Sequence, residues 1–211
     1  MFTGIIKGIG ELSDLRRLGG SMEIAVRWAG FRDADLSSGD SVSIDGACLS
    51  AERVESDVVW FLAVEETLKR TTLGMRKAGD EVNIELPLKA SDYLGGHMVM
   101  GHVDCVGKIV SFRQQGIQRL LRVEYPAQFN KFVVEKGSVA VDGISLTITR
   151  AGENFFECAI IRETLTKTTL GKKNVGDAVN VEFDILAKYV DRLLRKRHPS
   201  GASEDDIAAL Y

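Results

Sequence analysis

Residues 138–149 of the chain read SVAVDGISLTIT, and residues 41–52 read SVSIDGACLSAE, so one pattern occurs twice at an offset of 97 residues. The offset persists downstream, where the stretch ETLKRTTLG of residues 66–74 returns as ETLTKTTLG in residues 163–171. A constant offset with almost no net insertion indicates one fold duplicated in tandem. Each copy has the size of a small domain rather than of a solenoid repeat.

The Asp-Gly pairs within this pattern decide how each copy folds locally. Asp45-Gly46 and Asp142-Gly143 each stand between two stretches in which apolar residues alternate with others. Such a pair favours a two-residue type I′ turn, because both central residues of that turn have positive φ. Along the return strand of the first copy, successive side chains point to opposite faces, which puts Leu49 in the core and Cys48 outside it.

The rest of the pattern predicts a barrel in each copy. Residues 2–12 and 22–28 read as strands, and about six short strands joined by tight turns occur in each copy. A small closed antiparallel barrel suits this pattern, because closure removes exposed sheet edges. We therefore predict an all-β protein of two tandem six-stranded antiparallel barrels, with a helix over residues 126–135 and another at the C-terminus.

The C-terminal helix has no counterpart in the first copy. Over residues 184–197, apolar side chains recur at helical spacing, and these are Ile185, Leu186, Tyr189, Val190, Leu193 and Leu194. An amphipathic helix buries such a stripe against its own domain or against a partner subunit. Because each barrel has a core of its own, we expect a partner subunit. Further along, Ser203 is placed to cap a short last helix.

Composition excludes several classes of protein. The net charge of −3 gives no support for a nucleic-acid or membrane surface, and no apolar run reaches the length of a membrane span. Residues 1–10 lack the basic start and the apolar core of a signal peptide. Cys48, Cys105 and Cys158 are widely spaced, which argues against a disulfide framework or a zinc site and fits a reducing compartment. We therefore expect a cytoplasmic protein without a metal.

Two small hydrogen-bonding side chains lie outside the core at the same point of each copy. They are Cys48 and Ser50 in the first copy, and Ser145 and Thr147 in the second. Hydroxyl side chains are common on the solvated face of a strand, and that interpretation stays open. An outward-facing thiol is unusual, because cysteine is among the residue types most often buried. Cys48 therefore favours a functional site on this face.

A second candidate is the stretch GGHMVMGH of residues 95–102, which holds two of the three histidines. Histidine is suited to moving protons near neutral pH, and glycine lets a ligand approach the main chain. The alternative is a domain linker with incidental histidines. Metal binding is disfavoured, because His97 and His102 have no nearby set of carboxylate and cysteine ligands. The doubled ETL stretches have a surface turn or a short helix as their structural alternative.

Several motifs together resemble the riboflavin synthase family of the α-subunit type. They are MFTGII at residues 1–6, GGH and GHVD within residues 95–104, DGISLT at residues 142–147, and the doubled ETL stretches. The resemblance runs from Met1 to about Tyr189 and leaves the later tail uncovered.

The resemblance implies two Greek-key barrels, divided here as residues 1–96 and 97–186, and an oligomerisation helix with a tail in residues 187–211. The helix gathers three subunits into a homotrimer. The implied reaction is the dismutation of two molecules of 6,7-dimethyl-8-ribityllumazine, in which one donates a four-carbon unit to the other. The products are riboflavin and 5-amino-6-(D-ribitylamino)uracil, and neither a metal nor an organic cofactor is implied. In the family, the reacting pair is held between the first barrel of one subunit and the second barrel of another.

The resemblance also implies which residues act. Catalysis falls most directly on Cys48, His102 and Ser145, with support from Phe2, Ser41, His97 and Thr147. The lumazine pocket of the first barrel is implied at Gly4, Ile5, Ile6, Cys48, Leu49, Ser50, Leu62, Ala63, Val64, Glu65, Glu66 and Thr67. Its twin in the second barrel is implied at Gly101, His102, Val103, Lys136, Ser145, Leu146, Thr147, Ala159, Ile160, Ile161, Arg162, Glu163 and Thr164. We expect His102 to shuttle protons at the 7-methyl group of a lumazine, and Cys48 or Ser145 to stabilise, or add to, the electrophilic ring carbon.

Three positions depart from the pattern of the family, which usually has Asn in place of Asp45, Thr in place of Ser50, and often a polar residue in place of Met100. Met100 lies beside His102, so this departure bears on the rate of the reaction rather than on its nature. The rival interpretation is a non-catalytic lumazine or flavin carrier, since such antenna proteins share the doubled barrel. Carriers tend to lose the Cys, His and Ser set that this chain retains. A flavin-dependent reductase is disfavoured, because no nicotinamide-binding domain follows.

Overall fold

The computed structural model describes residues 1–197, and these form twelve β-strands arranged as two closed barrels. The strands of the first barrel are β1 (Gly8–Leu18), β2 (Ser21–Arg27), β3 (Ser41–Ile44), β4 (Ala47–Glu55), β5 (Val58–Ala63) and β6 (Glu81–Glu85). Those of the second are β7 (Cys105–Gln115), β8 (Gln118–Glu124), β9 (Ser138–Val141), β10 (Ile144–Ala151), β11 (Phe155–Ile160) and β12 (Ala178–Phe183). The same residues contain the helices α1 (Glu65–Arg70), α2 (Arg162–Lys167) and α3 (Ile185–Arg197).

Both barrels have the same strand order, which confirms the predicted duplication. The first runs β1-β2-β5-β4-β3-β6, and the second runs β7-β8-β11-β10-β9-β12. The last strand of each pairs antiparallel with its first, β6 with β1 and β12 with β7, so each sheet closes on itself. Closure pairs the edge strands, and the apolar side chains that face inwards form one core per barrel.

Each barrel contains the predicted Asp-Gly hairpin, between β3 and β4 and between β9 and β10. Asp45 and Gly46 have φ angles of 46° and 80°, and Asp142 and Gly143 have angles of 46° and 79°. Both central residues of each turn thus have the positive φ that a type I′ turn requires. The side chains of β4 alternate between buried and more exposed positions, as the sequence predicted.

The two hairpin turns meet where the barrels contact each other, and two buried asparagines link them. Asn83 Nδ2 donates a hydrogen bond of 2.9 Å to the carbonyl of Asp142, and Asn180 Nδ2 donates one of 2.7 Å to the carbonyl of Asp45. The two bonds are equivalent under the repeat. Because both amides are buried and would be costly to leave unpaired, this reciprocal pair fixes how one barrel sits against the other.

Two predicted elements differ from the structure. Residues 2–7 precede β1 instead of forming part of it, and Phe2 makes an isolated antiparallel bridge with Val99. The reason is that this segment stays bonded to the end of its own barrel and also bonds to the hairpin of the second one, as described below. The helix predicted over residues 126–135 is a single 3₁₀ segment, Ala127–Phe132.

Helix α3 confirms the predicted C-terminal helix and leaves its apolar face uncovered by the described residues. Its contacts with the second barrel include two ion pairs, Lys188 with Asp104 at 2.6 Å and Asp191 with Lys131 at 3.1 Å. Its exposed apolar side chains are Leu186, Tyr189, Val190, Leu193 and Leu194. The predicted cap at Ser203 lies outside the described residues. Within residues 1–197, no helix has both the length and the apolar character needed to cross a membrane.

Candidate active site

Two short segments cross from one barrel to the other and complete the candidate site. The first crossing segment, residues 2–7, precedes β1, and the second crossing segment, residues 99–104, precedes β7. The carbonyl of Gly4 accepts a hydrogen bond of 2.8 Å from the main-chain N–H of Ser145 on β10. The carbonyl of Gly101 accepts an equivalent bond of 2.8 Å from the N–H of Cys48 on β4. Each crossing segment therefore extends the hairpin of the other barrel.

Glycine is required at both crossing points. Gly4 and Gly101 each have a φ of 77°, in the region that favours glycine. A Cβ atom added to Gly4 would lie 2.5 Å from Cβ of Ser145, and one added to Gly101 would lie 2.5 Å from Cβ of Cys48. The absence of a side chain thus lets the crossing main chain pack directly on the two candidate catalytic residues.

A cavity of about 400 Å³ opens beside Cys48. Its wall combines β4, α1, the second crossing segment and the start of α3, and its lining residues are Ala47, Cys48, Glu66, Thr67, Arg70, Thr71, Gly101, His102, Val103, Asp104, Phe129 and Lys188. Cys48 is half-buried and His102 is exposed. A thiol and an imidazole, which are groups capable of nucleophilic attack and of proton transfer, therefore line one space.

A second cavity, of about 290 Å³, opens beside Ser145. Its lining residues are Gly4, Ile5, Ile6, Ile144, Ser145, Ile161, Glu163, Thr164, Lys167 and Thr168. Ile5 and Ile161 are exposed apolar side chains at this cavity. Apolar walls with a few polar groups are typical of a site for a small ring compound.

The buried imidazole of His97 supports Ser145. Nδ1 of His97 lies 2.7 Å from Oγ of Ser145, and the main-chain N–H of His97 donates a 3.1 Å bond to the carbonyl of Thr3. Burial lowers the pKa of His97, against a smaller opposing effect of the carboxylate of Asp184. Burial therefore favours the neutral imidazole, and its Nδ1 lies within hydrogen-bond distance of the serine hydroxyl.

The structure changes the grouping of the predicted pocket residues. The sequence groups residues 4–6 with Cys48 and residues 101–103 with Ser145. In the structure, residues 4–6 line the Ser145 cavity and residues 101–103 line the Cys48 cavity. The physical reason is the crossing of the two segments between barrels.

Other predicted residues do not line either cavity. Phe2 is fully buried in a cluster with Val99 and Ala140, and Cys48 packs against this cluster. The side chains of four predicted residues belong to the barrel cores: Leu49, Ala63, Leu146 and Ile160. Besides His97, the others outside the lining are Ser41, Ser50, Leu62, Val64, Glu65, Lys136, Thr147, Ala159 and Arg162. Their roles stay predictions.

Several lining residues were not identified from the sequence. Arg70 and Lys167 occupy equivalent places in the doubled ETL stretches, and the repeat itself could have indicated them. Asp104, Phe129 and Lys188 come from the second barrel and α3 but line the cavity of the first barrel. Only the packing of the barrels brings these three residues to Cys48, so no local pattern could have revealed them.

Comparison with known proteins defines the class of protein. A family model described as "Lumazine binding domain" matches residues 3–87 and again residues 100–184. The two matches coincide with the two barrels and the segments that precede them. The fold and the paired cavities therefore belong to a protein with two tandem lumazine-binding domains.

The relatives identify the family. The chain is 41% identical over 199 residues to the riboflavin synthase of Mycobacterium tuberculosis, covering 92% of this chain and 98% of the relative. It is 37% identical over 194 residues to the riboflavin synthase of Photobacterium phosphoreum, covering 92% and 89%. It is 35% identical over 202 residues to that of Chlamydia pneumoniae, covering 95% and 99%. The chain belongs to the riboflavin synthase family.

Solved structures share the doubled barrel. LumP complexed with riboflavin superposes with a TM-score of 0.79 at 20% identity, covering 87% of this chain and 99% of LumP. LumP complexed with 6,7-dimethyl-8-(1'-D-ribityl) lumazine gives 0.77 at 19% identity, with the same coverage. At this level of identity the similarity establishes the fold alone.

Proposed function

We propose that this protein catalyses the dismutation of two molecules of 6,7-dimethyl-8-ribityllumazine to riboflavin and 5-amino-6-(D-ribitylamino)uracil. The observation that carries the proposal is the pair of equivalent cavities, one with Cys48 and His102 and the other with Ser145. A reaction between two identical substrates needs two similar sites, which a duplicated fold supplies. Identity of 41% to a riboflavin synthase over nearly the whole chain supports the same chemistry.

The proposed mechanism combines positioning with proton transfer. We assign His102 to remove and return a proton at the acidic 7-methyl group of one lumazine. Cys48 or Ser145 adds to, or stabilises, the electrophilic ring carbon of a lumazine. One lumazine gives up its four-carbon unit and leaves as the uracil, and the other gains that unit and becomes riboflavin. The neutral imidazole of His97 takes up or returns the proton of the Ser145 hydroxyl during these steps.

We also propose that the active form is a homotrimer assembled through α3. Among the described residues, the two cavities share no lining residue, so lumazines bound to one chain occupy separate sites. A neighbouring subunit that presents its Ser145 cavity to the Cys48 cavity of the first would bring the two substrates together. The exposed apolar face of α3 is a surface suited to such a contact.

The division into residues 1–96, 97–186 and 187–211 and a cytoplasmic location complete the proposal. The strands of each barrel fall within the first two ranges, and α3 begins two residues before the third. The wide spacing of Cys48, Cys105 and Cys158 in the sequence supports a reducing compartment.

The decisive experiment mixes the purified protein with 6,7-dimethyl-8-ribityllumazine alone, without added metal or cofactor. We expect riboflavin to appear at half the amount of lumazine consumed. Tight binding of lumazine without turnover would contradict the proposal and identify a carrier. In that case Asp45, Ser50 and Met100 would be the first positions to exchange for the residues usual in the family.

A further inference from the structure

Each barrel contains one buried glutamate, whose carboxylate is hydrogen-bonded to the crossing segment at the start of the same barrel. Glu85 is the last residue of β6 and Glu182 lies in β12, at equivalent places in the repeat. Their exposed fractions are 1% and 3%. A carboxylate is rarely buried to this extent unless hydrogen bonds compensate for its lost hydration.

The carboxylate of Glu85 accepts three hydrogen bonds from the first crossing segment. Thr3 donates two of them to Oε1, through its main-chain N–H at 2.7 Å and through Oγ1 at 2.6 Å. Gly4 donates the third, through its N–H to Oε2 at 2.9 Å. The carbonyl of the same Gly4 accepts the N–H of Ser145. A carboxylate of the first barrel is thus two hydrogen bonds away from the second cavity.

Glu182 holds the second crossing segment in the same way. Its carboxylate accepts bonds from the N–H of Met100 at 2.7 Å and the N–H of Gly101 at 2.9 Å. The carbonyl of Gly101 in turn accepts the N–H of Cys48. Met100 occupies the place of Thr3 and has no hydroxyl, so this carboxylate receives one bond fewer.

The crossing segments depend on these carboxylates. Four of their N–H groups have a carboxylate and no main-chain carbonyl as partner, and a buried N–H needs a partner; these four belong to Thr3, Gly4, Met100 and Gly101. Hydrogen bonds to a charged acceptor are stronger than those to a neutral one. Each carboxylate therefore holds its segment in position against the hairpin of the other barrel.

We propose that Glu85 and Glu182 are positioning residues that act across the barrel contact, Glu85 on the Ser145 cavity and Glu182 on the Cys48 cavity. The inference rests on the proposed function, since it concerns how the lumazine sites are shaped. If the carboxylates only stabilised the barrels that contain them, each would affect its own barrel or both barrels equally. The crossed assignment predicts the opposite pattern.

The test uses the thiol of Cys48 as a reporter that needs no turnover. Cys48 is half-buried, whereas Cys105 and Cys158 are buried, so iodoacetamide should modify Cys48 first, as peptide mass spectrometry can verify. We expect Glu182→Gln to raise the alkylation rate of Cys48 about tenfold, because it replaces charged hydrogen bonds with weaker ones. We expect riboflavin to protect the thiol less in this variant. Glu85→Gln should change both rate and protection much less than Glu182→Gln does while it lowers turnover, because Glu85 reaches the second crossing segment only indirectly, through the bonds of residues 97–99 to Phe2 and Thr3.

The matched control is Glu52→Gln, which changes an exposed carboxylate of β4 and should behave like the wild type. A second variant adds a hydrogen bond to the carboxylate of Glu182 instead of weakening one. Met100→Thr supplies the hydroxyl that the second segment lacks, so it should slow the alkylation of Cys48, and this effect should vanish in the Glu182→Gln background.

The outcomes separate the two proposals. If the wild type does not convert lumazine, the proposed function is wrong, and the alkylation rates still report on the carboxylates. If Glu85→Gln speeds alkylation of Cys48 as much as Glu182→Gln does, or if neither differs from Glu52→Gln, the crossed positioning role is wrong. Should the glutamine variants fail to fold, two other variants replace them: Thr3→Val removes one bond to Glu85, and Met100→Thr adds one to Glu182. The alkylation rates of Cys48 in these two variants then test the crossed positioning role.

Discussion

The Cys48 cavity and the Ser145 cavity have the same backbone plan and different chemistry. In each, a crossing segment contacts a hairpin strand of the other barrel through a glycine whose φ is 77°. The first cavity offers a half-buried thiol and the exposed imidazole of His102. The second offers a hydroxyl held by the buried imidazole of His97. Duplication thus supplied one geometry twice, while the side chains made the two sites unequal.

That inequality matches what a dismutation requires. The two lumazines are identical when they bind, yet one must lose a four-carbon unit and the other must gain it. A symmetric pair of sites would give both molecules the same environment. Helix α3 adds to the difference, since Lys188 lines the Cys48 cavity, whereas no residue of α3 up to residue 195 lines the Ser145 cavity.

The largest expected effect comes from removing the imidazole that faces the Cys48 cavity. His102→Gln should lower kcat by about 10²-fold or more, because general acid–base catalysis contributes roughly that factor. His102 is exposed, so the fold should be unaffected. Turnover of lumazine and the thermal unfolding temperature are measured on the same preparation. A rate close to that of the wild type would remove His102 from the mechanism.

The next effect distinguishes the Asp-Gly turns of the two copies. Asp45 pairs with Arg76 at 2.5 Å, and Asp142 pairs with Lys173 at 3.1 Å. Burial, and then repulsion by Asp142, raise the pKa of Asp45 from 3.8 to about 7. Between these values the folded chain retains a proton that the unfolded chain releases. The free energy of unfolding therefore falls as pH rises through this window, by at most about 1.4 kcal/mol per pH unit.

Asp45→Asn should remove that slope. Denaturant unfolding at fixed protein concentration, from about pH 4 to about pH 7, measures the difference between variant and wild type. We expect the variant to gain stability relative to the wild type as pH rises. Glu52→Gln, with an exposed carboxyl group, serves as the control. A difference that stays constant with pH would show that Asp45 is ionised throughout.

A smaller effect should follow from making the first cavity resemble the second. Cys48→Ser replaces the thiol with the hydroxyl that Ser145 provides. We expect about a tenfold loss of turnover, since the new group keeps a hydrogen-bonding role worth about 1 kcal/mol but is the weaker nucleophile. The reverse exchange, Ser145→Cys, leaves a thiol beside His97 and tests whether the hydroxyl is needed there. Equal rates for both single variants and the wild type would mean that the two positions are interchangeable.

The sequence predicted the barrels because their signals are local. The Asp45-Gly46 turn and the alternation that buries Leu49 and half-exposes Cys48 need only a few neighbouring residues. The offset of the repeat then predicted the second barrel from the first. These features correctly predicted the fold and the faces on which Cys48 and Ser145 lie.

The crossing of the segments could not be predicted in this way. Residues 4–6 and residues 101–103 precede equivalent strands, so each reads locally as part of its own barrel. Whether the carbonyl of Gly4 meets its own hairpin or the other depends on how the barrels dock. The asparagine pair links the barrels at that contact, and each asparagine is distant in sequence from its partner.

The smallest expected effect tests whether α3 contributes to only one of the two cavities. Lys188 on α3 lines the Cys48 cavity and pairs with Asp104 at 2.6 Å. Lys188→Met should weaken riboflavin binding there by about fivefold, because a hydrogen bond from this side chain to an uncharged ligand contributes about 1 kcal/mol. Protection of Cys48 from iodoacetamide measures this affinity. Lys167→Met, at the other cavity, is the matched control and should leave the protection unchanged. Equal losses in the two variants would mean that the cationic side chains act through the overall charge of the protein and that the difference between the cavities lies in Cys48, His102 and Ser145 alone.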